Sequence, residues 1–498
     1  MKYLSIFRNM INKLLDIIFS AITLTIILFL LFSLSISAQI TFQRTYGVGT
    51  YNEGRSVKQT LDGGYIVAGT TSDAGNGATD VYLLKVDSLG NFQWHKTFGG
   101  SGIDRGYAVE QLNDSGYAVA GYTNSSGNGG YDGYLVRTNK NGDTLWTKTY
   151  GTSNWDFIFS MKKTLDYGFV LAGNSYGNSS GYSEAYLLKT DSDGVAQWTR
   201  SYNVSDDAFI NSIALSPDNG YTLAGYKESL SNGNEDVLII QTDFSGDTVW
   251  TKNIGNTNDE RANAVDVNNL DSTIVAAGYS RDINSGNYDN YLVKLDFNGN
   301  TTVIQLFPQA GIDVVQDIHI IDNRCIVAAY TNSFGIGNLE TQYYLTDAQL
   351  GFITGTTHGG TEDDIAYHIE ATSDGGYILC GSSTSFAPGL QSVYLIKLDS
   401  LLQTSPIVIG IPEQPGDHFL HNYPNPFHDY TIIKFKNSNS SKTIDFSLFN
   451  TLGKLVFFST LNYQKELTFY RNDLPSGIYI YQLKDENKII GHGKMVIE

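Results

Sequence analysis

Apolar and polar residues alternate along most of this chain in short bursts, each closed off by Asn, Asp, Ser and Gly. One burst, "DGGYIVAG" (62–69), returns near the far end as "DGGYILCG" (374–381). Its terminal glycine recurs as Gly69, Gly121, Gly173, Gly225 and Gly278, becomes Ala329, and returns as Gly381, in steps of 52, 52, 52, 53, 51 and 52 residues. Two further registers keep the same beat: Asp87, Asn139, Asp191, Asp243, Asp296, Asp347 and Asp399, and Phe42, Trp94, Trp146, Trp198, Trp250 and Val303. Three registers in phase establish an internal repeat, which takes precedence over any assignment of single elements.

Each unit predicts four short strands. In the second, "GYAVEQL" (106–112) and "GYAVAGYT" (116–123) flank Asn113-Asp114-Ser115. Then "DGYLVRTN" (132–139) and "TLWTKTYG" (144–151) flank Lys140-Asn141-Gly142-Asp143. Aromatic and β-branched runs bounded by residues that tolerate positive φ are hairpin grammar. Outside the N-terminus no window carries helical spacing. Four-stranded units at this period predict propeller blades.

The ends of the array predict a closed ring. The chain enters with "FQRTYG" (42–47), which matches the fourth strand "WHKTFG" (94–99), and the last unit stops at "VYLIKLD" (393–399), a third strand without a successor. Pairing these two orphans completes a seventh blade and removes two exposed edges. From Gln39 to Leu402 is 364 residues, seven units of 52. The expected fold is all-β, a seven-bladed β-propeller closed by its N-terminal strand; an open solenoid is the competing arrangement.

Composition changes the picture at the termini. Lys2, Arg8 and Lys13 precede an uncharged apolar run, 17–34, followed by "SISAQ" (35–39). A basic start, an apolar stretch and a small-residue exit predict a secretory leader over 1–38, cut after Ala38. The run is also long enough to serve as a retained anchor. Lys plus Arg total 32 against 51 Asp plus Glu, a net charge of −19; the leader holds three bases and Asp16, so the chain beyond it is near −21. Such a surface repels phosphates and argues against nucleic acid as a partner. The 33 Tyr and 25 Phe supply cores, so the acidity is not a sign of disorder. With Cys325 and Cys380 alone, this is no disulfide scaffold; two buried thiols are expected, and a bond between these consecutive units is the alternative.

After Leu402 the period stops. A proline-bearing linker spans 403–417, and 418–498 is a separate unit of alternating strands, expected to form a small antiparallel β-sandwich. In it stand "NYPNPF" (422–427), "LFNTLGKLV" (448–456), "LPSGIYIYQL" (474–483) and "KMVIE" (494–498). In order and spacing these pieces resemble the C-terminal sorting domain of cargo exported by the type IX secretion system of Bacteroidota. The resemblance rests on Tyr423, Pro424, Asn425, Pro426, Phe427, Gly453, Lys454, Gly477, Tyr479 and Lys494. It implies engagement with that machinery, passage across the outer membrane, and release or attachment at the cell surface. The repeat itself is similar to those of secreted bacterial propellers found ahead of such domains. Its "KNGDTLW" (140–146) and "DSDGVAQW" (191–198) turns also resemble quinoprotein repeats and the Asp-box of sialidases.

Candidate chemistry is sparse. A ring of Trp could stack sugars, but Trp94, Trp146, Trp198 and Trp250 occur once per unit, as packing residues do. Asp191-Ser192-Asp193-Gly194 starts like a calcium loop yet lacks the later ligands; carboxylates bonding their own backbone explain such turns, and no cofactor is expected, with calcium on the acidic surface as the alternative. Positions that break the symmetry are better candidates. "HGGTEDDIAYH" (358–368) gathers His358, Glu362, Asp363, Asp364 and His368, and Trp155 with Asp156 marks the loop before the third unit. Consecutive acids on an extended segment point apart, which weakens that cluster. His418, His421 and His428 do not fit a zinc spacing. No nucleophile elbow, metalloprotease helix, phosphate loop or Cys-x-x-Cys occurs. The expectation is a monomeric secreted or surface-held module that binds a glycan or protein without catalysis. The rival is a secreted propeller enzyme, a polysaccharide hydrolase or lyase or a quinone-dependent dehydrogenase.

Overall fold

The computed structural model describes residues 39–405 and 422–498, apart from 48–49, 74, 178–181, 203–205, 229–234, 388–389, 435–442, 451–453, 463–465, 472 and 486–487. The leader, most of the linker, and Gly453, His418 and His421 lie outside the described residues.

Seven four-stranded antiparallel sheets follow one another: blade 1 (52–98), blade 2 (104–150), blade 3 (156–202), blade 4 (208–254), blade 5 (259–307), blade 6 (313–358) and blade 7 (364–398). Blade 7 borrows its outer strand from the start of the chain. Phe42–Tyr46 pairs antiparallel with Ser392–Leu398, Phe42 opposite Lys397 and Tyr46 opposite Val393. First strands neighbour one another around the ring, including those of blades 7 and 1, and therefore line the axis. Second and third strands lie between adjacent sheets; Tyr65–Thr71 and Asp80–Val86 are buried at every position. The core is thus a set of apolar layers, each shared by two blades, as where Ile66 and Leu83 meet Val109 and Tyr117. Cys325 and Cys380 are free thiols in separate layers.

The repeated residues each have a structural duty. Every first strand carries a β-bulge that drives one carbonyl onto the second strand: a Cβ on Gly69 would meet the Glu53 carbonyl at 1.8 Å, and one on Gly381 the Ile365 carbonyl at 1.8 Å. Six blades keep glycine there, which fits at no cost, and blade 6 carries Ala329 opposite its bulge. Each outer-strand Trp covers the third-to-fourth turn of the next blade. Trp94 packs over Gly142, Trp146 over Gly194, Trp198 over Gly246 and Trp250 over Gly299, and Phe42 does the same over Gly90. Blades 5 and 6 carry Val303 and Thr354 at this position, and the turns they face present Leu350 and Leu402, both buried at positive φ, instead of glycine. A large residue on one side answers a small one on the other. The turn carboxylates bond their own backbone: Asp191 Oδ1 accepts from the N–H groups of Asp193 (3.0 Å) and Val195 (2.8 Å).

The acid of the "DGG" phrase receives a buried cation from the third strand. Lys85 pairs with Asp62 (3.1 Å), Lys189 with Asp166 (2.7 Å) and Lys397 with Asp374 (3.0 Å). Lys397, 1% exposed, also donates to the Leu398 carbonyl at 2.8 Å.

A second kind of acid sits at the blade junctions. Where the third strand of one blade meets the first strand of the next, acids at or next to their starts lie near each other: Asp80 and Asp104, Asp132 and Asp156, Asp236 and Glu260, Asp289 and Asp313, Glu340 and Asp364. The other two junctions hold Glu184 with Ala208, and Ser392 with Asn52.

Residues 422–498 fold as a β-sandwich of a three-stranded and a four-stranded sheet, closed over Phe427, Ile433, Phe446, Phe469, Tyr481 and Met495.

Candidate functional site: the axial channel

In the first strand of each blade the pairing skips one residue: Arg55, Tyr107, Phe159, Asn211, Asn263, Gln316 and Tyr367 in turn. A bulge takes its extra side chain out of the strand's alternation. These seven bulges aim seven side chains at one cavity of about 270 Å³ on the ring axis. The repeat keeps residue type in its glycine, turn and outer-strand registers; this register instead holds one arginine, three aromatics and three amides around the ring.

The next residue along the strands ties the ring together. Ser56 Oγ accepts from Val109 N–H (3.4 Å), Ser160 Oγ from Ile213 N–H (3.3 Å) and Ser212 Oγ from Val265 N–H (3.2 Å). Asn211 and Asn263 add donations to the Ala262 and Val315 carbonyls. In blade 6 the serine's place is taken by Asp317, whose Oδ2 accepts from Ile369 N–H at 2.9 Å. A carboxylate therefore replaces a hydroxyl where the channel is narrow and protein surrounds it. Burial pushes Asp317 up to about 7, against the pull of the Ile369 N–H and Lys162. Its neighbour His368, Nε2 3.7 Å away, is held well below the ordinary imidazole range by burial and by Lys58 and Lys162. The two shifts point to an uncharged pair below about pH 7, not an ion pair. Deeper in the channel Lys58 meets Glu370 at 3.4 Å.

One arc of the channel mouth is aromatic. Tyr107 stacks on Tyr122 (5.5 Å) and meets Phe159 edge-on (5.0 Å), and Phe157, Tyr131, Tyr176 and Trp155 extend the cluster outward. Trp155 is 53% exposed, with its ring held edge-on by Tyr131 at 5.9 Å. Next to this arc, the Arg55 guanidinium lies between two rings, 3.8 Å from the Tyr367 centroid and 5.6 Å from that of Tyr107, and bonds Glu53 at 2.8 Å. An exposed aromatic plate thus stands beside a polar, charge-lined opening.

The residues singled out from the sequence are dispersed. Trp155 is at the mouth, but Asp156 is buried beneath it, accepting from Thr152 N–H (2.7 Å) and Ser175 Oγ (2.5 Å). The 358–368 segment runs from the last strand of blade 6 through a bent loop into the first strand of blade 7, and its side chains part company. His358 stacks on Tyr343 and shares a 2.7 Å hydrogen bond with its hydroxyl. Glu362 and Asp363 lie on a loop, Asp364 is buried at a junction, and His368 alone reaches the channel. The other channel residues escaped sequence reasoning because they do not repeat. Their only signal was a register of the first strand that does not hold one residue type through the array.

In the sorting unit, Tyr423 is exposed and Phe427 buried. Asn425 holds the two segments together, donating to the Lys494 carbonyl (2.9 Å) and accepting from Val496 N–H (2.7 Å). Pro424 offers its carbonyl to Thr431 Oγ1 (2.7 Å), Pro426 precedes the buried Phe427, and Tyr479 donates to the Pro475 carbonyl (2.8 Å). Gly477 opens a strand that pairs with the last one, on which Lys494 is exposed; Lys454 N–H bonds Asn450 Oδ1 (3.0 Å).

Residues 421–498 match the profile of the secretion system C-terminal sorting domain. A regulatory protein, FlaEY, of Caulobacter vibrioides is 27% identical over 176 residues, which covers 30% of this chain and only 18% of that protein. Among solved structures, puromycin hydrolase aligns at 11% identity over 79% of this chain and 61% of its own, with a TM-score of 0.47. Sqt1 of Chaetomium thermophilum aligns at 13% over 75% and 87%, with a TM-score of 0.43. The propeller domain of the Trilobed protease of Pyrococcus furiosus aligns at 9% over 76% and 99%, with a TM-score of 0.41. These loose likenesses carry nothing about activity. Strand pairing and the matched profile together establish the chain as a seven-bladed β-propeller followed by a type IX secretion sorting domain, and hence as secreted or surface-directed cargo.

Proposed function

We propose that the propeller is a non-catalytic binding module, acting as a monomer, that takes a glycan at the mouth of its axial channel. In this reading a leader cut after Ala38 delivers the chain to the periplasm, and the sorting domain carries it outward. The observation that supports it is the ring of seven bulge residues, one arginine, three aromatics and three amides aimed at one cavity, beside the exposed Trp155 plate. Aromatic faces stack on the apolar faces of sugars, while the amides, Arg55 and the channel charges supply polar partners for hydroxyls. Loop faces of rigid scaffolds are where such sites are built.

A glycan array and polysaccharide pull-downs with the purified chain test it. Wild type should retain a defined glycan class. Trp155→Ala should lose at least about tenfold in affinity, the range of one lost stacking contact, without a change in melting temperature. Blank glycan panels alongside release of reducing ends, or turnover with added quinone cofactor, would overturn the proposal.

A further inference from the structure

We propose that four of the blade junctions each bind a calcium ion between their paired carboxylates, pinning neighbouring blades together. The junctions are those between blades 1 and 2, 2 and 3, 5 and 6, and 6 and 7. At the second of these, Asp132 Oδ1 and Asp156 Oδ2 converge on Gly151, 2.3 and 2.9 Å from the point a Cβ there would occupy. Asp132 is 1% exposed, and its Oδ1 has no hydrogen-bond partner among the described residues. At the other three, Asp104, Asp313 and Asp364 are at most 1% exposed and each has an orphaned Oδ1; between blades 1 and 2, Asp104 Oδ2 and Asp80 Oδ1 lie 2.4 and 2.6 Å from the point a Cβ on Gly99 would occupy. Their remaining oxygens are satisfied, as where Gly100 N–H reaches Asp104 Oδ2 at 2.9 Å and Gly360 N–H reaches Asp364 Oδ2 at 2.7 Å.

No Lys or Arg forms an ion pair with either acid at these four junctions among the described residues. The junction between blades 4 and 5 is the internal control. There Asp236 Oδ1 and Glu260 Oε2 also converge, on Gly255, but neither acid has an orphaned oxygen. Buried carboxylates that face each other need compensating positive charge. One proton cancels half of the charge; one divalent cation cancels all of it. Oxygen-only side-chain ligands select a hard ion. Among the described residues no three carboxylate, imidazole or thiol groups converge, so carbonyls and water complete the shell, an irregular set that calcium accepts more readily than magnesium.

Terbium, which occupies calcium sites, is the probe, because Tyr134 and Tyr344 sit beside these acids and sensitise its emission. The full chain at pH 7.5, stripped with chelator, should bind terbium with tyrosine-excited emission that calcium displaces. Millimolar calcium should raise its melting temperature by roughly 5 °C or more over chelator, as ligand linkage requires. Asp132→Asn with Asp156→Asn should remove about one quarter of the displaceable signal; if that variant does not fold, the wild-type titration decides alone. No terbium emission and no calcium-dependent shift would overturn the proposal. So would a chelated protein indifferent to calcium whose melting temperature climbs from pH 8 to pH 5, because a shared proton would then hold the junctions. An equal response to magnesium would overturn the choice of calcium.

Discussion

Truncating Phe42 to alanine tests ring closure at a single side chain. Phe42 is 5% exposed, on a strand of five residues, Phe42–Tyr46, that alone joins the two ends of the array by β-pairing. Its ring meets Tyr65 edge-on at 5.9 Å in the first blade and lies on the third-to-fourth turn there, where a Cβ on Gly90 would come within 2.8 Å of it. Phe→Ala in a well-packed core costs about 3–5 kcal/mol. The turn beneath holds its shape and cannot collapse into the space, which places this site in the upper half of that range. Guanidinium unfolding followed by tryptophan fluorescence and far-UV circular dichroism measures the loss as a lower midpoint at unchanged slope. Gly90→Ala alone should also destabilise, by about 1–3 kcal/mol, through its positive φ of 73° and the clash with the ring. The two changes should be strongly non-additive, because removing the ring removes the clash. Blades 5 and 6 already use the opposite solution, Val303 and Thr354 facing Leu350 and Leu402. Phe42→Thr with Gly90→Leu should therefore recover part of the loss. A Phe42→Ala cost below about 1 kcal/mol, or strict additivity with Gly90→Ala, would refute the account of closure.

Three further outcomes follow from the same structure. Asp374→Asn removes the partner of a buried ammonium and should cost about 1–3 kcal/mol at pH 7. Hydrogen bonds from Thr372 and Lys397 outweigh burial and hold the Asp374 carboxyl below its ordinary range, so this stabilisation is present above the unfolded carboxylate pKa and fades as pH falls through the folded one; wild type and variant should converge near pH 3. Asp317 has the opposite sign. Its carboxyl is raised to about 7, so folding takes up a proton between about pH 4 and 7 and stability declines across that window; Asp317→Asn should flatten the decline in urea midpoints measured at stepped pH. Phe427→Ala, which empties a 3%-exposed position where the sorting unit's first and last segments join, should cost it about 3 kcal/mol or more and cut export, read as cargo retained in the periplasm.

The periodic part of this molecule was open to view in the sequence. Seven repeats, four strands in each, the closing strand at Phe42 and the packing duty of the Trp series all follow from spacing, because each is imposed by a local contact that recurs in every unit. The glycine series was visible as a pattern without a cause; the bulge carbonyl that forbids a Cβ appears only when two strands are paired. Asp156 and Asp364 read as exposed candidates because they stand in polar loop text, yet the neighbouring blade covers them. The axial set, Arg55 through Tyr367, was hidden for the converse reason: seven residues of three chemical kinds, each about one unit apart, do not read as a repeat until the ring brings them to one axis. Local periodicity is written along the chain, whereas convergence across blades comes from closure, and only the folded ring has an axis.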